Sequence, residues 1–137
     1  MNKRILSFIG VFAIFAIAVV WYKSSKKDEL FTVMNVPAFS LTNQQNQTIT
    51  AEKMKGKVYV VEFFFTSCPT ICPVMNKNLR MVEDQINDPN FGIISITIDP
   101  KRDTPERLAK HAEKLGVKSP NWHFLTGNRE DILALSK

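Results

Sequence analysis

An apolar and aromatic run that leads directly into the chain's two cysteines constrains the fold more than any other feature. Residues 57–65 hold only two charged side chains among aromatic and β-branched ones, the pattern of a strand covered on both faces. Across residues 71–86 apolar side chains recur every three or four positions, which predicts an amphipathic helix. Pro73 suits its first turn, where a missing N–H costs nothing. We therefore predict that Cys68 lies in the strand-to-helix loop and Cys72 in the first helical turn.

The C-x3-C spacing has direct chemical consequences. Four positions along a helical turn bring both sulfurs to one side, close enough to share a metal ion or to form a disulfide. The free N–H groups of a helix start favour negative charge and therefore stabilise thiolates. Two thiolates form a soft ligand set that selects Cu(I) or Zn(II) over hard cations. A structural disulfide, or a pair of buried thiols, is the alternative that the spacing leaves open.

The rest of the chain predicts one small α/β domain around this strand. Short strands are expected at 37–42 and 47–50, a buried strand at 92–98, a helix from Thr104 to Leu115, a strand at Trp122–Thr126 and a last helix from Asn128. Such alternation indicates an α/β sandwich with parallel strand pairs. Open sheets of this kind bind ligands at the carboxyl end of a strand, against the start of the next helix.

The N-terminus predicts a membrane anchor. Residues 5–22 carry no charge and contain only two side chains outside the apolar and aromatic set, a length sufficient for one transmembrane helix. Cleavage of a signal peptide after Ala18 is the alternative, but the apolar run continues past that site. We expect an uncleaved anchor with basic flanks over residues 1–27, a tether over 28–36 and the α/β domain over 37–137.

Charge is divided unevenly between these segments. Residues 1–27 contain five basic and no acidic side chains, so the remainder holds 13 of each. The domain therefore has no excess of basic residues to indicate a nucleic-acid partner. The short N-terminal tail, the cysteine chemistry and the absence of an Arg- and Ser-rich presequence predict a single-pass protein of a bacterial inner membrane, with its domain on the periplasmic side.

Two motifs resemble the SCO/SenC family. Residues 56–73, which include both cysteines, resemble the copper-site region of that family, and SITIDPKRDTP at Ser95–Pro105 resembles its second signature. The resemblance extends over residues 36–137. It implies a thioredoxin-like fold, with Cys68 and Cys72 as thiolate ligands of copper. It also implies a metallochaperone that helps to load the binuclear copper centre of cytochrome c oxidase, whose copper-binding subunit would be the partner.

The third ligand of that family, a histidine, has no counterpart at the expected position. It lies on a loop well beyond the strand that corresponds to Trp122–Thr126, and this chain contains only His111 and His123. We expect His111 to be a surface residue of a helix and His123 to be a satisfied structural histidine, because lone imidazoles without ligand spacing are seldom metal sites. The resemblance therefore predicts a domain that is incomplete at its C-terminus, with a longer parent that holds Cu(II) as well as Cu(I).

Acidic residues near the motifs have simpler expected roles. Glu62 interrupts the apolar strand; buried, it would be a candidate proton acceptor for a thiol, but we expect it to point to a wet edge. Asp99 is expected to end a strand. Asp103 is expected to precede a helix start, where negative charge is favourable.

An enzymatic function is the alternative to copper delivery. As a thiol–disulfide oxidoreductase acting on cysteines of exported or oxidase proteins, the chain would use Cys68 and Cys72 as its redox pair. The spacing is one residue longer than the C-x-x-C of thioredoxins, which favours metal binding. A peroxidase of the thioredoxin superfamily is a third hypothesis, for which no particular residue argues.

Overall fold

The computed structural model describes residues 14–18 and 35–136. The chain divides into one unit over Met1–Asn35 and a second over Val36–Lys137. Within the first unit, residues 14–18 are helical and exposed. No helix in the described ranges has the length and apolar character needed to cross a bilayer. Most of the predicted anchor and of the predicted tether lies outside the described residues.

The second unit follows the predicted order of hairpin, strand, helix, strand, helix, strand and helix. Its elements are β1 Ser40–Asn43, β2 Thr48–Thr50, a 3-10 turn at Ala51–Met54, β3 Val58–Phe64, α1 Ile71–Gln85, β4 Phe91–Thr97, α2 Pro105–Leu115, β5 Trp122–Thr126 and α3 Arg129–Leu135. Most boundaries differ from the predicted ones by a residue or two, and β1 begins three residues late. The local pattern of apolar residues therefore determined the sequence of elements.

The five strands form one mixed sheet. The strand order is β2-β1-β5-β4-β3, with β3, β4 and β5 parallel and β1 antiparallel to both β2 and β5. The predicted α/β class with parallel pairs is confirmed. The register of β3 on β4 ends at Phe64 opposite Thr97, so the carboxyl ends of these two strands lie side by side. The cysteine loop, residues 65–70 between β3 and α1, begins there.

Two buried clusters pack on the sheet. One combines Phe64, Cys72, Ile93, Leu108, Ala112, Trp122 and Phe124, and the other combines Leu41, Ile49, Ile94, Ile96, Leu125 and Ile132. Adjacent residues of β4 enter different clusters because successive side chains of a strand point to opposite faces. Helices therefore cover both faces of the sheet, with α1 and α2 represented in the first cluster and α3 in the second. Cys72 belongs to the core of the domain.

β3 departs from the prediction that both of its faces are covered. Val58 is 68% exposed and Val61 is 49% exposed, whereas Glu62 and Phe64 are buried. The physical reason is position, since β3 is an edge strand and β4 is its only partner among the described residues. Its apolar composition indicated burial, but only its carboxyl-terminal half enters the core.

The buried face of α1 also differs from the predicted apolar stripe. Ile71 and Ile86, the first and last members of that stripe, are 59% and 41% exposed. The buried residues are Cys72 and Asn76, one position further along the helix. The side-chain nitrogen of the buried Asn76 lies 3.2 Å from Nε2 of His111, whereas its Oδ1 has no hydrogen-bond partner among the described residues. A pattern of apolar side chains does not predict that a cysteine and an asparagine form the buried face of α1.

The ends of α2 follow local rules. Thr104 caps its start by accepting a hydrogen bond from the Arg107 amide at 3.4 Å, and Pro105 is the first helical residue. Gly116 ends the helix in the left-handed conformation, with φ of 68°. These predictions are confirmed. The start of α2 sets the position of Asp103, which directly precedes the cap residue Thr104 in the β4–α2 loop.

Candidate metal centre

Both cysteines lie between the carboxyl end of β3 and the first turn of α1, as predicted. The Cys68 amide donates to the Phe65 carbonyl at 3.2 Å and closes a tight turn just after β3. Cys68 is half-buried, whereas Cys72, the second residue of α1, is only 5% exposed. Both are free thiols in this structure. One sulfur is therefore accessible from outside, and the other is set into the core beneath it.

The two thiols differ in acidity. The pKa of Cys68 is lowered from 9.0 to about 6, first by the Cys72 thiol and then by the Thr70 and Cys72 backbone amides. Burial, followed by the nearby Cys68 side chain, raises the pKa of Cys72. At neutral pH the pair is therefore a Cys68 thiolate beside a Cys72 thiol.

Asp103 holds the turn from behind and is a residue whose role sequence reasoning missed. Its carboxylate, 1% exposed, accepts hydrogen bonds from the Thr66 amide at 3.0 Å, the Thr66 hydroxyl at 2.5 Å and the Thr97 hydroxyl at 2.6 Å. Arg107 Nε donates to Thr66 Oγ1 at 2.7 Å and lies 3.4 Å from Asp103 Oδ1. The sequence does contain a signal for this contact. Thr66 and Thr97 follow or end two adjacent parallel strands, and Asp103 comes shortly after the second of them.

Glu62 is buried, so the prediction that it points to a wet edge is wrong. It is 7% exposed and accepts a hydrogen bond from Ser95 Oγ at 2.6 Å, while Trp122 Nε1 donates to the same oxygen of Ser95 at 3.0 Å. Glu62 and Ser95 are register partners on β3 and β4, which places their side chains side by side on one face. Burial raises the pKa of the Glu62 carboxyl, against the opposing effect of the Ser95 hydrogen bond.

The second oxygen of Glu62 is directed at no donor. Oε2 is buried and has no hydrogen-bond partner among the described residues. The charge of the Glu62 carboxylate is also one of the smaller causes of the raised pKa of the Cys72 thiol. A buried carboxyl therefore accompanies the buried thiol, whereas the sequence favoured a Glu62 at a wet edge.

His111 is not the surface residue that its helical position suggested. Its Nε2 lies 3.2 Å from Asn76 Nδ2, and its ring stacks on Phe64 with centroids 5.5 Å apart. Burial lowers the pKa of His111, with a weaker opposing effect from the charge of Asp103. This imidazole packs between α2, α1 and the sheet as part of the core.

His123 is structural, but it is not satisfied as predicted. Its Nδ1 is buried and has no hydrogen-bond partner among the described residues. Its neighbours Trp122 and Phe124 enter the cluster that contains Cys72, so the His123 side chain lies on the opposite face of the sheet from that cysteine. Burial, followed by the charges of Lys57 and Lys53, lowers the pKa of His123. In the part of the chain that the structure describes, no three His, Cys, Asp or Glu side chains form a metal-binding cluster. The candidate donor set is thus the cysteine pair.

Comparisons with known proteins relate the chain to one family. The model of the SCO1/SenC family matches residues 27–137. The SCO1 protein homolog of Bacillus subtilis (strain 168) is 36% identical over 94 residues, which make up 67% of this chain and 49% of that protein. This chain therefore spans about half the length of that relative.

Solved structures show the same fold. BsSco, a member of the Sco family of cytochrome c oxidase assembly proteins in which a disulfide switch was identified, gives a TM-score of 0.67 at 33% identity, over 74% of this chain and 61% of that chain. Arabidopsis thaliana ScoI, solved with copper bound, gives a TM-score of 0.64 at 28% identity, over 73% of this chain and 64% of that chain.

Proposed function

The chain belongs to the SCO1/SenC family, and from this premise we propose that it is a copper metallochaperone that helps to assemble the binuclear copper centre of cytochrome c oxidase. The copper-bound plant relative supports copper as the cargo. The observation that carries the proposal is the pairing of a half-exposed Cys68, with a pKa of about 6, with a buried Cys72 in the core cluster against which Cys68 packs. The copper-binding subunit of the oxidase is the proposed client.

The donor set suits Cu(I). Two thiolates are sufficient for a soft d¹⁰ ion of low coordination number. Cys68 is already ionised near neutral pH, whereas the Cys72 thiol must lose its proton when the metal binds, because a metal ligates the thiolate form. Half-exposure of Cys68 gives the ion, and a partner that receives it, a route to the site.

A competition titration with a Cu(I) chelator tests the proposal on the reduced chain. We expect one Cu(I) per chain, and we expect binding to be lost in Cys68→Ser and in Cys72→Ser. Ser67→Ala, which changes an exposed neighbour and leaves both sulfurs, is the matched control and should bind normally. His123→Ala should also change little. Retention of Cu(I) by either cysteine variant at wild-type affinity would show that the site is assigned to the wrong residues.

Cu(II) is expected to be held poorly by this chain. It prefers a tetragonal set with nitrogen or oxygen donors, and two Cu(II) ions would each take one electron from the dithiolate, leaving two Cu(I) ions and a Cys68–Cys72 disulfide. A visible charge-transfer band should therefore appear and decay. A stable band that disappears in His123→Ala would contradict this assignment of donors.

A thiol–disulfide oxidoreductase is the second candidate function, and the acidity of Cys68 favours it. A Cys68 thiolate would attack a substrate disulfide, and Cys72 would then resolve the mixed disulfide, so that the substrate leaves as a dithiol and the pair is oxidised. Reduction of insulin by the copper-free chain measures this activity. Copper binding without insulin reduction would leave the chaperone function alone.

We further propose that residues 5–22 tether the protein to a bacterial inner membrane with the domain on the periplasmic side. The support is the uncharged apolar run in the sequence. The protein should remain in the membrane fraction after a carbonate wash, whereas a variant that begins at Ser24 should be released. Recovery of a soluble wild-type form that begins near Val19 would instead indicate a cleaved signal peptide.

A further inference from the structure

Thr66 joins the turn that carries Cys68 to the β4–α2 loop and to α2. Thr66 lies inside the Phe65–Cys68 turn, and both its amide and its hydroxyl donate to Asp103. The same hydroxyl accepts a hydrogen bond from Arg107 Nε at 2.7 Å. Main chain and side chain of one turn residue are thus fixed by the same buried carboxylate.

The turn also packs beside the second cysteine. Phe65, the first residue of the turn, and Cys68 both pack against the buried cluster that contains Cys72. Any shift of the turn therefore moves Cys68 directly and alters the packing next to Cys72. The separation and orientation of the two sulfurs depend on where this turn is held.

Asp103 is suited to hold it because of the donors that converge on it. Oδ2 accepts from the Thr66 amide and from the Thr97 hydroxyl, and Oδ1 accepts from the Thr66 hydroxyl beside Arg107. Charge-assisted hydrogen bonds of this kind are stronger than neutral ones. These contacts of Asp103 join the end of β4, the start of α2 and the turn that carries Cys68. A residue that only preceded a helix start would not require them.

We infer that Asp103 is a positioning residue for the cysteine pair: through Thr66 it fixes the geometry in which Cys68 and Cys72 hold Cu(I) together. The inference rests on the proposed copper function. Groups that orient metal ligands commonly affect metal affinity by 10- to 100-fold when they are removed. We therefore expect loss of this contact to weaken Cu(I) binding although both sulfurs remain.

Two variants test the inference in the full chain. Asp103→Asn keeps the shape of the side chain but removes its charge and one of its acceptors. Thr66→Val is nearly isosteric and removes only the hydroxyl, so it carries the test if Asp103→Asn does not fold. Thr66→Ser restores the hydroxyl and is the rescue variant. Asp99→Asn is the matched control, because its partly exposed carboxylate lies in the same β4–α2 loop and pairs, among the residues that the structure describes, with the exposed Arg102 alone.

The measurements are the Cu(I) affinity by chelator competition and the reduction potential of the Cys68–Cys72 pair. We expect Asp103→Asn and Thr66→Val to lose roughly tenfold or more in affinity and to shift the potential, and Thr66→Ser and Asp99→Asn to match wild type. A lower thermal stability with unchanged affinity and potential would overturn the inference, because Asp103 would then be merely structural.

Failure of the proposed function gives a different pattern. If the wild-type chain does not bind Cu(I), the reduction potential of the Cys68–Cys72 pair alone tests whether Asp103 positions the two cysteines. A shift in Asp103→Asn and Thr66→Val, reversed in Thr66→Ser, would support positioning without copper. Identical potentials in all four variants would overturn it.

Discussion

Cys68 and Cys72 share a loop but not an environment. Cys68 is half-exposed at the start of α1, where backbone amides lower its pKa, whereas Cys72 is almost fully buried in the core cluster. One thiol is therefore ionised at neutral pH and the other is not. This inequality suits copper transfer as well as disulfide exchange, since either process begins at the accessible thiolate.

The reactivity of the two thiols should differ accordingly. We expect the rate of Cys68 alkylation by iodoacetamide to rise with pH to a plateau with a midpoint near its pKa of about 6, because the thiolate fraction rises through that range. Cys72 should remain unmodified at pH 7. Peptide mass spectrometry after timed labelling measures both rates.

The cause of this shift can be tested in the same assay. Cys72→Ala removes the thiol that contributes most to the lowered pKa, so the Cys68 midpoint should move toward 9.0, whereas Cys72→Ser keeps a donor and should move it less. An unchanged midpoint in Cys72→Ala would show that the helix-start amides alone set the acidity.

β3 and β4 position the site, and their contact has little free space. At the register pair Tyr59–Gly92, a side chain on Gly92 would collide with the Tyr59 ring and lie 2.8 Å from the Asn121 carbonyl oxygen. Glycine thus allows the Tyr59 ring and the loop before β5 to approach β4 together. This pair belongs to the same register that brings Phe64 opposite Thr97 at the carboxyl ends of the two strands.

Gly92→Ala should therefore destabilise the domain by about 1–3 kcal/mol, because the backbone oxygen of Asn121 cannot move aside cheaply. Chemical denaturation measures the free energy of unfolding. Gly127→Ala is the matched control: its added methyl would meet the flexible Leu41 side chain at 2.6 Å, and a smaller loss is expected. Equal losses for the two variants would contradict this account of the β3–β4 contact.

Across the whole domain, the central strands of the sheet are buried by packed side chains, whereas the edge strand β3 is partly exposed to solvent. The central strands β4 and β5 hold most of the buried residues of the sheet, whereas β3 exposes Val58 and Val61, and β4 alone pairs with it in the described part of the chain. Unpaired backbone N–H and C=O groups beside apolar side chains form an edge prone to pair with other strands.

Residues 36–137 should therefore self-associate as their concentration rises. Val61→Lys places a charge on the open strand and should reduce association, because charged side chains on an edge oppose strand pairing. Val36→Lys is the matched control, since Val36 is 69% exposed but lies outside the sheet. Sedimentation velocity over a concentration series measures the effect. Equal association of both variants would show that the edge is not responsible.

The order of elements, the position of both cysteines and the ends of α2 were determined by the sequence itself. Each depends on residues within one or two turns of one another: a period in apolar side chains, a threonine cap, a proline and a left-handed glycine. Family membership also followed from the two motifs. Copper ligation by Cys68 and Cys72 stays a prediction, because it requires the metal.

Only the tertiary structure decided which side chains support the site. Ser95 makes burial of Glu62 tolerable across 33 positions, Thr66 meets Asp103 across 37, and Asn76 meets His111 across 35. The exposure of β3 likewise depends on its place at the edge of the sheet. Local patterns carry no information about such partners, because a buried polar group is stable only when distant parts of the chain bring a donor or acceptor to it.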